Sequence, residues 1–82
     1  MAEILYSENF KQQYKKIKDE LTRIKINKQI KKLEFWPEAG KPLSHDYKNK
    51  RSIWVKPYRI IYKIEDNNIT ILSFDHRKNA YD

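Results

Sequence analysis

Hydrophobic residues in the first half of the chain recur at the spacing of amphipathic helices. One stripe comprises Phe10, Tyr14, Ile17, Leu21 and Ile24, and a second comprises Ile26, Ile30 and Leu33. At about 100° of rotation per residue, Ile24 and Ile26 point roughly 200° apart, so one straight helix would bury one stripe and expose the other. The pattern therefore predicts two helices folded as a hairpin that buries both stripes.

Capping residues and a proline place the ends of these helices. Ser7 follows a short apolar run at 2–6, and its side chain is suited to cap the first helix. The bend is expected at Lys18–Asp19, where Asp19 would cap the second helix. Pro37 cannot continue a helix and is expected to end the second one.

Three stretches in the second half are typical of strands, at 52–56 (SIWVK), 58–64 (YRIIYKI) and 68–74 (NITILSF). The sequence EDNN predicts a tight turn between the last two strands, and Pro57 predicts the connection between the first two. The stretch 37–50 before them is the predicted loop, because it holds the single glycine, Gly40, and two of the three prolines.

Alternation along the middle strand assigns its side chains to two faces. Ile60, Tyr62 and Ile64 share one face, whereas Arg59, Ile61 and Lys63 share the other. A helical hairpin can cover only one of them. We call the other the outer face, and we expect Arg59 to stand on it. The predicted fold is α+β, a helical hairpin packed on a small antiparallel sheet in one domain spanning 1–82.

The amino-acid composition excludes several kinds of binding site and several classes of protein. The 82 residues include no cysteine and two histidines, which excludes disulfides and provides too few Cys and His ligands for a typical structural zinc site. There is no apolar stretch long enough to span a membrane. We therefore expect a soluble, cytoplasmic protein without a metal or another cofactor.

The charge of the chain points to a polyanionic or acidic partner. Eighteen Lys and Arg against eleven Asp and Glu give a net charge of +7. The bases of the segment 41–63 are Lys41, Lys48, Lys50, Arg51, Lys56, Arg59 and Lys63, and its aromatic residues are Tyr47, Trp54, Tyr58 and Tyr62. Bases neutralise phosphates and rings stack on nucleobases. The alternative is that the rings are core, which we expect for Tyr62 and leave open for Trp54.

Three motifs in combination carry a resemblance to a known family. They are GKPL at 40–43, YRIIYKIEDNNITIL at 58–72 and HRKNAY at 76–81. With the predicted order of strand, two helices and three strands, the chain resembles the RelE/ParE toxin superfamily, and RelE-type toxins most. The resemblance implies a toxin that enters the ribosome and cuts messenger RNA. It also implies a RelB-like antitoxin that binds the toxin in a hetero-oligomer.

In metal-free RNA cleavage the 2′-hydroxyl attacks the adjacent phosphate. The reaction needs a group that accepts the hydroxyl proton, a cation that stabilises the phosphorane and a group that protonates the leaving oxygen. Arg59 matches the family's phosphate-stabilising arginine, and Arg77 is a second candidate. Tyr81 matches the tail tyrosine that stacks on the substrate. His76 is a candidate acid or base, because histidine is the side chain type that ordinarily titrates near neutral pH. The tail is expected to fold over the outer face near Arg59. The predicted RNA-binding residues are Lys41, Lys48, Lys50, Arg51, Trp54, Lys56, Lys63 and Lys78.

The general base stays open at this point. Ser52 and Trp54 occupy positions where RelE-type toxins usually carry a base, and Lys50, Arg51 and Lys56 are expected beside them in the other phase. His45 is a possible acid or base, although a loop histidine of this kind is commonly a surface residue. His76 has its own alternative as a strand-end histidine. The alternative function is a ParE-like toxin that binds and inhibits DNA gyrase without cutting nucleic acid.

Overall fold

The structure, a computed structural model, describes residues 2–43 and 49–76 and has the predicted order of elements. The elements are β1 (Glu3–Tyr6), α1 (Glu8–Lys15), α2 (Glu20–Phe35), a 3-10 turn (Pro37–Ala39), β2 (Lys41–Pro42), β3 (Lys50–Val55), β4 (Tyr58–Glu65) and β5 (Asn68–His76). The helical hairpin and the three long strands are confirmed. The short strand β2 lies in the stretch predicted as a loop.

The five strands form one mixed sheet in the order β1-β5-β4-β3-β2. Strands β3 to β5 pair antiparallel, as predicted, and the unpredicted β2 pairs antiparallel to β3, whereas β1 pairs parallel to β5. Two parallel strands need a long connection between them. The helices and the strands β2 to β4 form that connection between β1 and β5. Pro57 lies in the β3–β4 turn, as predicted, and follows a cis peptide bond.

Both predicted caps are present. The Ser7 hydroxyl oxygen accepts the Phe10 amide hydrogen at 3.0 Å, and the same hydroxyl donates to the Leu72 carbonyl at 2.7 Å. Asp19 accepts the amide and the hydroxyl of Thr22. The hydrogen bond from the Thr22 hydroxyl is the main reason why the pKa of Asp19 lies below its usual value. These caps satisfy amides that the first turn of a helix leaves without partners.

The core lies between α2 and the inner face of the sheet. Ile26, Ile30 and Leu33 of α2 are buried there with Phe10 of α1. The prediction that the whole first stripe is buried is wrong. Its last members, Leu21 and Ile24, are 66% and 51% exposed, because α2 turns its other stripe towards the sheet.

Side chains of α1 cover the edge of β5 beyond β1. The ladder between β1 and β5 ends at Tyr6 and Ile71. Farther along, the Gln13 side chain accepts from the Phe74 amide at 2.9 Å and donates to the Phe74 carbonyl at 2.8 Å. One glutamine thus satisfies both backbone groups of a residue that would otherwise present an open strand edge.

A buried tyrosine fastens the 3-10 turn to the sheet. The fully buried Tyr62 donates its hydroxyl hydrogen to the Pro37 carbonyl at 2.7 Å and accepts the Gly40 amide at 2.9 Å. A Cβ atom at residue 40 would lie 2.6 Å from both the Tyr62 hydroxyl and the Ser52 carbonyl oxygen. The contact therefore requires glycine at this position.

In the described part of the chain, none of the helices has the length and apolar character needed to cross a membrane.

The Tyr62 hydroxyl should account for a measurable part of the stability. Tyr62→Phe leaves the Gly40 amide and the Pro37 carbonyl without their partner, and a buried group that loses its hydrogen bond costs about 1–3 kcal/mol. We expect the free energy of unfolding in urea to fall by that amount. Tyr58→Phe, which removes a hydroxyl from a half-buried ring, is the matched control and should change the stability much less.

The pH dependence gives the same prediction a second readout. Burial raises the pKa of the Tyr62 phenol above the ordinary 10.0. Because unfolded tyrosine ionises at lower pH, the stabilisation is fully present below 10.0 and is lost as the pH rises above it. The difference in stability between wild type and Tyr62→Phe should therefore shrink in alkali. A difference that stays constant or grows would contradict the assignment.

Candidate functional site

The register of the central strands brings the predicted site residues of β3 and β4 onto the outer face. Three cross-strand rows run over this face, namely Trp54–Arg59–Asp75, Lys41–Ser52–Ile61–Ser73 and Lys50–Lys63–Thr70. The helix-facing neighbours Ile60 and Tyr62 are buried in the core, so alternation turns Arg59, Ile61 and Lys63 the other way, as predicted.

Arg59 is positioned by an aromatic ring on the neighbouring strand. Its guanidinium carbon lies 4.8 Å from the centroid of the Trp54 ring, which is the distance of a cation–π contact. Trp54 pairs with Arg59 in the β3–β4 ladder and is 36% exposed. The open question about Trp54 is thereby answered, since the ring lies on the outer face beside Arg59 and outside the buried core cluster.

A second group of cations lies farther along the same face. Lys50 pairs with Lys63, whose ammonium nitrogen is 3.3 Å from a carboxylate oxygen of Glu65. Lys63 lies four positions along β4 from Arg59, or about 13 Å of strand. Between them Ile61 is only 2% exposed. The two groups of cations therefore flank an apolar centre, where charges interact more strongly than in water.

Lys50 of the basic segment lies on another face of the sheet than expected, and Arg51 is not placed for its predicted role. The expectation that Lys50 is out of phase with Ser52 and Trp54 is wrong, because residues two apart on a strand share a face. Arg51 turns to the helix side instead, where its guanidinium donates to the Gly40 carbonyl at 2.7 Å. It fastens the 3-10 turn and is not placed to bind RNA on the outer face.

His76 leaves the sheet on the side opposite Arg59. It pairs with Tyr58, and the two rings meet edge to face with centroids 5.7 Å apart. The strand-end neighbour of Arg59 is Asp75, whose carboxylate accepts from the Ser73 hydroxyl at 3.3 Å. The expected closeness of the end of β5 to the start of β4 is confirmed, but His76 and Arg59 are on different faces.

Several predicted residues lie outside the described part of the chain. They are His45, Lys48, Arg77, Lys78 and Tyr81. Their roles, and the folding of the tail over the outer face, stay predictions. In the two described ranges, no group of three or more His, Asp or Glu side chains is arranged to hold a metal ion.

A basic groove that the sequence did not predict lies between α2 and the β3–β4 turn. We call it the lysine groove; it has a volume of about 520 Å³ and is lined by Lys25, Lys28, Gln29, Lys32, Trp54, Val55 and Lys56. Of these lysines, only Lys56 was a predicted site residue. The spacing of the α2 lysines, three and then four residues apart, was a visible signal of one basic helix face. The position of these lysines beside the β3–β4 turn depends on a contact between distant segments of the chain, which their spacing does not reveal.

A second groove lies along the helical hairpin. This hairpin groove has a volume of about 290 Å³ and is lined by Tyr6, Phe10, Lys11, Tyr14, Asn27 and Ile30. Tyr14 donates its hydroxyl hydrogen to Asn27 at 3.2 Å, and the guanidinium of Arg23 lies 5.6 Å from the Tyr14 ring. Partial burial raises the pKa of Tyr6 above its ordinary value. Three of the six lining residues are aromatic, whereas the lysine groove has one aromatic residue among seven.

The sequence profile of one protein family matches nearly the whole chain. The family is described as the ParE toxin of type II toxin-antitoxin system, parDE, and the match covers residues 4–81. The chain belongs to this ParE toxin family. The predicted membership of the RelE/ParE superfamily is thereby confirmed.

Solved structures of RelE and ParE toxins share the fold of this ParE-family toxin. The RelB–RelE antitoxin–toxin complex of Methanococcus jannaschii matches with a TM-score of 0.75 and 22% identity over 90% of this chain and 91% of that one. The isolated E. coli RelE toxin matches with 0.79 and 17% over 93% and 84%. A chromosomal ParDE system from P. aeruginosa matches with 0.63 and 16% over 93% and 96%. No curated protein sequence matches significantly.

The toxin offers a direct test of the Trp54–Arg59 contact. In the NMR spectrum of the wild type, the ring current of Trp54 should shift the side-chain resonances of Arg59 upfield. Trp54→Leu should abolish this shift, whereas Trp54→Phe should retain part of it. Loss of the contact should also lower the free energy of unfolding by about 0.5–1 kcal/mol beyond the packing change.

Trp36→Leu is the matched control, because it removes a tryptophan that contacts a different cation, Lys32. It should leave the Arg59 resonances unchanged. If Trp54→Leu also leaves them unchanged, the guanidinium is not held by this ring.

Proposed function

We propose that this toxin cuts messenger RNA on the ribosome by metal-free attack of a 2′-hydroxyl on the adjacent phosphate. The observation that carries the proposal is the placement of Arg59, on the outer face and over the Trp54 ring. Lys41, Lys50 and Lys63 lie on the same face. A fixed guanidinium among further cations has the character of a site for a polyanionic substrate.

Arg59 is the residue that would hold the phosphate. Its planar fork of N–H donors matches two phosphate oxygens, and its charge persists throughout the reaction. The phosphorane carries more negative charge than the starting diester, so a positioned cation stabilises the transition state more than the substrate. Trp54 reduces the freedom of the side chain before RNA binds, which lowers the entropy lost on binding.

The proton-transfer groups are a separate part of the proposal. Lys50 joins the candidates for the base, because it shares the face of Arg59. His76 is less well placed, since the phosphate would have to reach it around the end of β4. By the resemblance to RelE-type toxins, Arg77 assists Arg59 and Tyr81 stacks on a nucleobase, a contact that contributes about 1–3 kcal/mol.

The ParE family profile favours a second candidate function. In this alternative the toxin binds DNA gyrase and cuts no nucleic acid. The basic outer face would then contact an acidic protein surface or DNA. A ring-supported arginine is not required for such binding, and therefore we place this function second.

We also propose that a cognate antitoxin binds the toxin and neutralises it in the cytoplasm. Structures of RelE relatives include complexes with RelB antitoxins. The hairpin groove of this chain is rich in aromatic side chains, and Leu21 and Ile24 are exposed on the same hairpin. An amphipathic segment of the antitoxin fits these apolar surfaces, and acidic residues of the antitoxin would complement the outer face.

Arg59→Ala tests the proposed function. Loss of one stabiliser of a developing negative charge typically slows a reaction on the order of 100- to 1,000-fold. Induction of the variant in cells without antitoxin should therefore permit growth, whereas the wild type should arrest it. The circular dichroism spectrum of the variant should be unchanged, and the variant should still bind the antitoxin, whose apolar anchor lies in the hairpin groove.

Two variants serve as controls. Arg23→Ala removes the same charge and the same kind of ring contact from α2, and it should remain toxic. Arg59→Lys keeps the charge without the fork and should be strongly impaired. If Arg59→Ala arrests growth as well as the wild type does, Arg59 is not the phosphate-stabilising residue.

A further inference from the structure

We propose that the lysine groove is a second phosphate-binding surface, which holds the backbone of the nucleic-acid strand bound at Arg59. This inference rests on the proposed function, because RNA at Arg59 is the strand that would continue into the groove. It adds a binding surface on α2, outside the outer face, and assigns a role to lysines that the cleavage chemistry does not use.

The charge of the groove favours an anionic occupant. Four of its seven lining side chains are lysines, and none of the seven carries a carboxylate. Lys25, Lys28 and Lys32 are spaced three and four residues apart, so they lie on one side of α2, where like charges destabilise each other. A bound row of phosphates relieves that repulsion and releases counterions, which favours binding.

One contact joins the two walls of the groove before any ligand binds, and a second positions a lysine on the helix wall. The amide nitrogen of the Gln29 side chain donates to the Trp54 carbonyl at 2.9 Å, which joins α2 to the edge of β3. The ammonium nitrogen of Lys32 lies 5.4 Å from the centroid of the Trp36 ring. The hydrogen bond from Gln29 thus fixes the position of the helix relative to the strand, so binding requires little rearrangement of the two walls.

Trp54 connects the groove to the outer face. The guanidinium of Arg59 lies over its ring, and the same residue lines the groove. A strand with one phosphate at Arg59 therefore has to pass only one side chain to reach the α2 lysines. The two basic surfaces form one path around the edge of β3, next to the β3–β4 turn that carries Lys56.

A nucleic-acid backbone fits this groove better than an acidic peptide does. Lysines bind phosphates as point charges, and a row of them suits the repeating charge of a backbone. A docked peptide needs apolar pockets for its anchor residues. The hairpin groove has several aromatic lining residues that could accept such anchors. The apolar lining residues of the lysine groove are Trp54 and Val55, beside its four lysines.

Charge reversal in the groove tests the inference without any cleavage. The probe is a fluorescein-labelled 2′-O-methyl oligouridylate, which cannot be cut by 2′-hydroxyl attack. Its affinity for the full-length protein is measured by fluorescence anisotropy across a series of salt concentrations. Lys28→Glu/Lys32→Glu should weaken binding about tenfold or more, and the slope of log K against log salt should fall by about 1.4, or 0.7 per lost phosphate contact.

Lys18→Glu/Lys31→Glu is the matched control. It makes the same change in net charge at two exposed lysines that do not line the groove. Its affinity should stay within about threefold of wild type, and its salt slope should be unchanged. Equal losses in the two double variants would overturn the inference, because net charge alone would then explain binding. Failure of the wild type to bind the probe would also overturn it.

Competition separates the two kinds of occupant. Poly-L-glutamate could bind the wild type and lose affinity for Lys28→Glu/Lys32→Glu, while the RNA probe binds both proteins equally. In that case the groove is a site for an acidic protein and the inference is wrong. Failure of the proposed function looks different. The toxin would leave ribosome-bound message intact, while the groove variant and its control would still differ in binding the RNA probe.

Discussion

The burial of alternate β4 side chains in the core is the constraint on which the candidate site depends. Ile60 and Tyr62 are fully buried in the core that they share with α2 side chains, and a strand that buries every second side chain must turn the intervening ones to the other side. Arg59 and Lys63 therefore stand on the outer face whatever their own interactions are. A shift of one residue in the register of β4 would bury both cations, which makes the register strongly specified.

Local patterns predicted much of this fold, and long-range contacts account for what they missed. The caps at Ser7 and Asp19 and the two faces of β4 follow from spacing within a few residues. The parallel pairing of β1 with β5 and the exposure of Leu21 depend on how distant segments meet. The same limit applies to the site, because Arg59 was predicted by alternation, whereas its contact with Trp54 and the lysine groove require the β3–β4 register and the position of α2.

Basic and aromatic side chains occupy different surfaces around the helical hairpin. Cations lie on the outer face and in the lysine groove, on both sides of the β3 edge, whereas aromatic side chains line the hairpin groove. The proposed phosphate recognition and the proposed docking of an apolar protein segment would thus use different surfaces of α2. This arrangement permits an antitoxin to anchor on the hairpin while another of its segments competes with RNA for the cations.

Mapping the ends of messenger RNA in a translating extract is the most direct test of the central claim. With the wild-type toxin, the account predicts cuts within ribosome-occupied codons that leave the 2′,3′-cyclic phosphate expected from 2′-hydroxyl attack. The cuts should disappear with Arg59→Ala and persist with Arg23→Ala. Intact messages in the presence of wild-type toxin, together with inhibition of DNA supercoiling by gyrase, would contradict the account.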